Sequence, residues 1–82
     1  MLSTDQIQKI VSTVERETSN DGCYVQPLHD PRQTHALYSI NKNSYESVKV
    51  ILKRLGAKYF RKVNANSKSF IIVCFNAEDM KF

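Results

Sequence analysis

The chain is short of the residues from which several classes of protein are built. Its 82 residues include no tryptophan, two cysteines, two glycines and two prolines. Two cysteines cannot form the disulfide scaffold of a small secreted protein. Few glycines and prolines, together with a hydrophobic content of 41%, are typical of a globular chain rather than a disordered or fibrous one. We therefore expect residues 1–82 to form a single small domain.

Long apolar segments are also missing. The longest run, Phe70 to Phe75, is far shorter than the roughly 18 residues that cross a bilayer. The opening residues, MLSTD, do not combine a basic segment with a following apolar one, so we expect no secretory signal. These absences lead us to expect an intracellular, cytoplasmic location without a membrane partner.

Positive charge is unevenly distributed along the chain. Residues 1–41 carry three basic and five acidic residues, a net charge of −2, whereas residues 42–82 carry nine basic and three acidic residues, a net charge of +6. From Lys42 to Lys68 there are eight basic residues and one acidic residue. Such a segment attracts polyanions, although the same charges also serve as a solvated face that keeps a small protein soluble.

The residue pattern of the acidic half predicts a helix followed by two strands. Ser3 and Gln6 form a capping-box pair, and apolar residues from Ile7 to Val14 recur with helical spacing. Turn-forming residues 18–22 end a helix of about 15 residues. Because proline cannot donate to a strand ladder, Pro27 and Pro31 indicate a loop. The predicted strands of this half are residues 23–26 and 34–40.

The basic half repeats this order. Asn43 and Glu46 form a second capping signal, and the apolar residues between Tyr45 and Leu55 have helical spacing. Gly56 is suited to the left-handed position after the helix. The predicted strands are residues 57–63 and 69–75, separated by a tight turn at 64–67. The last strand is apolar on both faces, so we expect it to be central.

The αββαββ order predicts an α+β fold with two layers. Two amphipathic helices can cover one face of a four-stranded antiparallel sheet, and the order also fits a circular permutation of the ferredoxin-like βαββαβ pattern. The other face of the sheet would then carry aromatic or aliphatic side chains, which suit the stacking of bases when cations lie nearby. A second copy of the chain could cover such a face instead, giving a homodimer.

Two known families resemble part of the basic half. The sequence KSFIIVCF, from Lys68 to Phe75, resembles the RNP1 strand of RNA-recognition motifs, and residues 37–41 are similar to the companion RNP2 strand. This likeness covers residues 36–79, but Ser69 and Ile71 replace glycines and Ile72 replaces a base-stacking aromatic residue. The helix, glycine, hairpin and Ala-Glu-Asp order is also similar to part of the double-wing DNA-binding domain of a phage transcription activator. Both resemblances imply nucleic-acid binding.

Residues that could support catalysis or metal binding are few. Cys23 and Cys74 stand outside any Cys-x-x-Cys pair, and we expect them to be buried structural thiols. His29 and His35 lie in or beside the proline loop, and their spacing from Cys23 matches no zinc pattern. We expect them to be exposed loop residues. No glycine-rich phosphate loop or paired-carboxylate motif is present, so we expect no enzyme, metal or cofactor.

Two functions remain open. The first is a small basic regulatory protein that binds RNA or DNA through its C-terminal half. The second is a small interaction protein, resembling those encoded by phages, that inhibits or redirects a larger acidic protein. For the first, the expected phosphate-binding residues are Lys49, Lys53, Arg54, Lys58, Arg61, Lys62 and Lys68, and the expected base-stacking residues are Tyr38, Tyr59 and Phe70.

Overall fold

The computed structural model describes residues 1–64 and 70–82 and has the predicted αββαββ order. Short 3-10 turns at Lys42–Ser44 and Ala77–Asp79 follow the second and the fourth strand. The helices are α1 (Thr4–Thr18) and α2 (Tyr45–Arg54), and the strands are β1 (Tyr24–Pro27), β2 (Thr34–Asn41), β3 (Arg61–Asn64) and β4 (Phe70–Asn76).

The four strands form one antiparallel sheet in the order β1-β2-β4-β3. Each half of the chain therefore supplies one edge strand and one central strand, and the pairing of β2 with β4 joins the halves. The order is the one that a circularly permuted ferredoxin-like chain would have. The two-layer α+β architecture and the central position of β4 are both confirmed.

The core lies between the sheet and the two helices. Ile71, Val73 and Phe75 of β4 are fully buried there, together with Ile10 of α1 and Leu52 of α2. Burying one such side chain contributes about 1.5–3 kcal/mol. Since residues alternate between the two faces of a strand, the remaining residues of β4 lie on the face without helices. We call this the open face.

The start of α1 follows the predicted pattern. The Gln6 amide donates to Ser3 Oγ at 3.2 Å, and the Ser3 amide donates to Gln6 Oε1 at 2.7 Å, which completes a capping box. The prediction for α2 is wrong in detail. Asn41 accepts from the Asn43 amide and caps a 3-10 turn, so α2 begins only at Tyr45, after Ser44.

The third strand is shorter than predicted. Residues 57–60 are not part of the sheet, and the Ala57 amide donates to Leu52 O at 2.9 Å, closing the end of α2. Pairing with β4 begins only at Arg61, opposite Cys74. The other strand ends differ from prediction by at most one residue where they are described. The predicted turn at 64–67 falls, after Asn64, outside the described residues.

Gly56 allows the C-terminal segment to pack against the end of α2. Its φ of +109° lies in the left-handed region, and a Cβ there would be 2.7 Å from Asp79 O and 2.8 Å from Lys81 N. The neighbouring Leu55 carbonyl accepts from the Lys81 amide at 2.8 Å. A side chain at position 56 would thus collide with backbone atoms that hold this contact.

Replacing Gly56 by alanine should destabilise the fold strongly. We expect a loss of roughly 3 kcal/mol in the free energy of unfolding, measured by urea denaturation, because backbone strain and a steric clash act together. Gly22→Ala is the matched control: its φ is +81°, but nothing lies within 4 Å of the added Cβ. That variant should lose only about 1 kcal/mol. Equal losses would contradict the packing role of Gly56.

Candidate nucleic-acid interface

The strand register places one aromatic residue from each of three strands on the open face. Tyr24 is opposite Tyr38, and Phe70 is opposite Asn41, at the end of the sheet nearest the β3–β4 connection. The Tyr24 and Tyr38 rings stack with their centroids 5.1 Å apart and their planes within 8°. Ile72, half-buried, follows Phe70 on the same face. We call Tyr24, Tyr38, Phe70 and Ile72 the aromatic patch.

Two rings of this patch are available to a ligand. Tyr24 and Phe70 are each 44% exposed, whereas Tyr38 is half-buried because Tyr24 covers one face of its ring. The sequence predicts that Tyr38 and Phe70 stack on bases, but it does not point to Tyr24. A strand of four residues, 24–27, is too short for the alternation of polar and apolar residues to show which face of the sheet Tyr24 lies on. Its pairing with Tyr38 depends on a segment more than ten residues away in the sequence.

An irregularity in β2 sets the position of Tyr38. The register with β4 shifts between Leu37 and Ile40, and Ser39 has a φ of +65°. A bulge of this kind re-aims neighbouring side chains and is common beside functional sites. Non-glycine residues rarely adopt this conformation, so the surrounding pairs must hold Ser39 in place.

The opposite end of the open face is closed. Ala36 and Cys74 face each other there and are buried. Thr34 Oγ1 donates at 3.1 Å to Asp30 or to Asn76, which ties the β1–β2 loop to the sheet. The aromatic patch is therefore confined to the other end.

Tyr59 is separated from the aromatic patch. The guanidinium carbon of Arg32, in the β1–β2 loop, lies 4.9 Å from the centroid of the Tyr59 ring, and the ring is half-buried. A cation already occupies this aromatic surface. The structure therefore does not bring Tyr59 together with Tyr38 and Phe70.

The expected phosphate-binding residues lie in different parts of the fold. Arg61 lies on the open face, since it pairs in register with Cys74. Lys62 lies on the helix side of the same edge strand, with its Nζ 5.1 Å from the Tyr45 ring centroid. Lys49 and Lys53 belong to α2, and Lys58 is exposed in the segment before β3. Lys68 lies outside the described residues.

Arg54 has an acidic partner from the other half of the chain. Its Nη2 atom donates to Glu17 Oε2 at 2.6 Å, on the flank of α2 that faces α1. Such an exposed pair stabilises the fold by only about 0.2–1 kcal/mol, but it offsets the charge that Arg54 could offer a phosphate. Among the six expected cations that the structure describes, Arg61 is the one at a strand position on the open face.

Carboxylates are absent from the strands as the structure bounds them. The eight acidic residues lie in the helices, the 3-10 turns and the loops. A face built from these strands carries no acidic side chain of its own, and Arg61 gives it a positive charge. The acidic residues are thus separated from the sheet in both halves of the sequence.

The two cysteines lie in the protein interior. Cys23 and Cys74 are buried and unbridged, as expected. Burial raises the pKa of the Cys23 thiol to about 11, so it stays protonated at neutral pH. Within residues 1–64 and 70–82, no three His, Cys, Asp or Glu side chains lie together as metal ligands would.

No described helix combines the length and the apolar character needed to cross a membrane.

His35 is buried, contrary to the expectation of an exposed loop residue. It is 1% exposed because its position in β2 faces the helix side, opposite Phe75, whose ring lies 6.0 Å away. Its Nδ1 atom donates to the Gln33 carbonyl at 3.2 Å, since a carbonyl can only accept. Nε2 is buried and has no hydrogen-bond partner among the described residues. His29 is exposed, as expected.

Comparisons with protein-family models, with curated proteins and with solved structures find no match.

The burial of His35 should make stability depend on pH. Burial lowers the pKa of His35, opposed by its bond to Gln33 O and reinforced by the nearby α-amino group. Below pH 6.5 the unfolded chain gains the proton more readily than the folded chain, so stability should fall as pH decreases through this value. His35→Leu should weaken this dependence between pH 7.5 and pH 5.5, as measured by denaturant titration.

His29→Gln is the control for this experiment. It removes the exposed imidazole of the same region and should leave the pH dependence of the wild-type chain in place. A His35→Leu chain with an unchanged dependence would show that other groups cause it.

Proposed function

We propose that this chain binds single-stranded nucleic acid on the open face of its sheet. The observation that carries the proposal is the aromatic patch, with two exposed rings, on a face whose strands contain Arg61 and no carboxylate. Exposed aromatic rings stack on bases of any sequence, and cations neutralise the phosphates between them. Bases in a duplex are already stacked and paired, so the patch favours an unpaired strand.

Each part of the patch has a distinct role in this proposal. Tyr24 and Phe70 provide the stacking surfaces. Tyr38 fixes the orientation of the Tyr24 ring by stacking against it, with the two ring centroids 5.1 Å apart. Ile72 supplies apolar contact between them. Arg61 is opposite Cys74, which is two residues after Ile72 in β4. Two residues along a strand span about 7 Å, so Arg61 is displaced from Ile72 by about that distance along the strand direction. An arginine side chain is long enough to span that distance to a phosphate of a strand lying on the patch.

The direct experiment is a titration with single-stranded and duplex oligonucleotides, in both RNA and DNA form, at two salt concentrations. The single strand should bind more tightly, and its affinity should fall with salt at a log–log slope of about −0.7 per neutralised phosphate. Equal affinity for duplex and single strand would contradict base stacking. Absence of binding at low salt would contradict the proposal as a whole.

Removing either exposed ring should weaken this binding. Tyr24→Ala and Phe70→Ala should each reduce affinity roughly 5- to 150-fold, the equivalent of about 1–3 kcal/mol for one stacked base. Tyr24→Phe keeps the ring and should keep most of the affinity. Phe82→Ala is the matched control, since that ring is 47% exposed but lies beside Lys9 of α1, 5.5 Å from its Nζ. Equal losses in all three alanine variants would contradict a specific patch.

Protein binding is the alternative, and the same patch supports it, because exposed aromatic residues beside cations also favour an acidic protein partner. Capture of a protein that persists after nuclease treatment, and that Phe70→Ala abolishes, would replace nucleic acid by protein as the ligand. A stable homodimer in solution that buries Tyr24 and Phe70 would likewise contradict the proposal.

A further inference from the structure

The edge strand β3 carries positive charge on both sides of the sheet. Arg61 and Lys62 are consecutive, and their partners Cys74 and Val73 lie on the open face and the helix side respectively. Their charges therefore flank a single sheet edge. Both side chains are exposed, and β3 contains no acidic residue.

The charge continues from this edge onto one flank of α2. Lys62 Nζ lies over the ring of Tyr45, the first residue of α2. Lys49 is four residues after Tyr45 and Lys53 four residues after Lys49, so all three positions lie on the same side of the helix. Arg54 lies on the other flank, where Glu17 neutralises it. We call Lys62, Lys49 and Lys53 the lysine flank.

The lysine flank forms no ion pair in the part of the chain that the structure describes. Within the described residues, no carboxylate lies within 4.0 Å of any of its three ammonium groups. Glu46, the acidic residue of α2, is three residues before Lys49 but forms no ion pair with it. Cations left without acidic partners on one helix flank are suited to phosphates.

We infer that a single strand bound on the aromatic patch continues around the β3 edge and lays its phosphates along the lysine flank. This inference rests on the proposed function and extends it to the length of the ligand. The sheet is about 15 Å wide between its outer strands, so a strand of a few nucleotides is accommodated by the patch and Arg61 alone. A longer strand must leave the sheet, and past the β3 edge Lys62, Lys49 and Lys53 offer it further cations.

The test compares ligand lengths in a double variant. Oligouridylate and oligothymidylate of about 4 and about 12 nucleotides, within the range that single-strand-binding sites cover, are titrated against wild-type chain and against Lys49→Gln/Lys53→Gln. The longer oligonucleotide should bind the variant about tenfold less tightly, with a salt slope smaller by about 1.4. Affinity for the shorter oligonucleotide should change by less than about twofold, since it does not reach the flank.

Lys9→Gln/Arg16→Gln is the matched control, because it removes the same charge from α1. It should affect both lengths equally and weakly. If the Lys49/Lys53 variant loses the same affinity for both lengths, or loses none, the inference is overturned. The proposed function is still upheld in that case if binding of the short oligonucleotide depends on Tyr24. Failure of wild-type chain to bind either length would remove both.

Discussion

Two helices can cover only one face of a four-stranded sheet, and this constraint governs the rest of the molecule. Ile71, Val73 and Phe75 are fully buried against α1 and α2. The alternation of a strand then leaves Phe70, Ile72 and Cys74 on the other face. The β1–β2 loop closes one end of that face, and the aromatic patch lies at the other. The site we propose is therefore a consequence of how the core is built.

Much of the architecture could be predicted from local patterns. The capping box at Ser3, the central position of β4 and the left-handed Gly56 all follow from short-range sequence, and the structure has each of them. The errors are at element ends, where local bonds compete. Asn41 rather than Asn43 caps the turn before α2, and the amide of Ala57 returns to the helix instead of entering the sheet.

The candidate site was less predictable because it depends on pairing between distant segments. Tyr24 stacks on Tyr38 because of the β1–β2 register, which the sequence of either strand alone does not show. The bulge at Ser39 has a positive φ without a glycine, so no residue type in the sequence indicates it. The burial of His35 arises from its place opposite Phe75. Charge patterning along the sequence does not show which face a cation lies on: the basic half contains both Arg61, which is on the sheet, and Lys49, which is on a helix. Only the fold separates these cations.

The most direct measurement is a map of the bound ligand on the protein. Backbone amide NMR spectra recorded during titration with a single-stranded oligonucleotide should show shifts concentrated in β1, β2 and β4 around Tyr24, Tyr38 and Phe70, extending to β3. The amides of the outer face of α1 should remain unchanged. Shifts confined to the helices, with the strand signals unaffected, would contradict the claim that the uncovered side of the sheet is the binding surface.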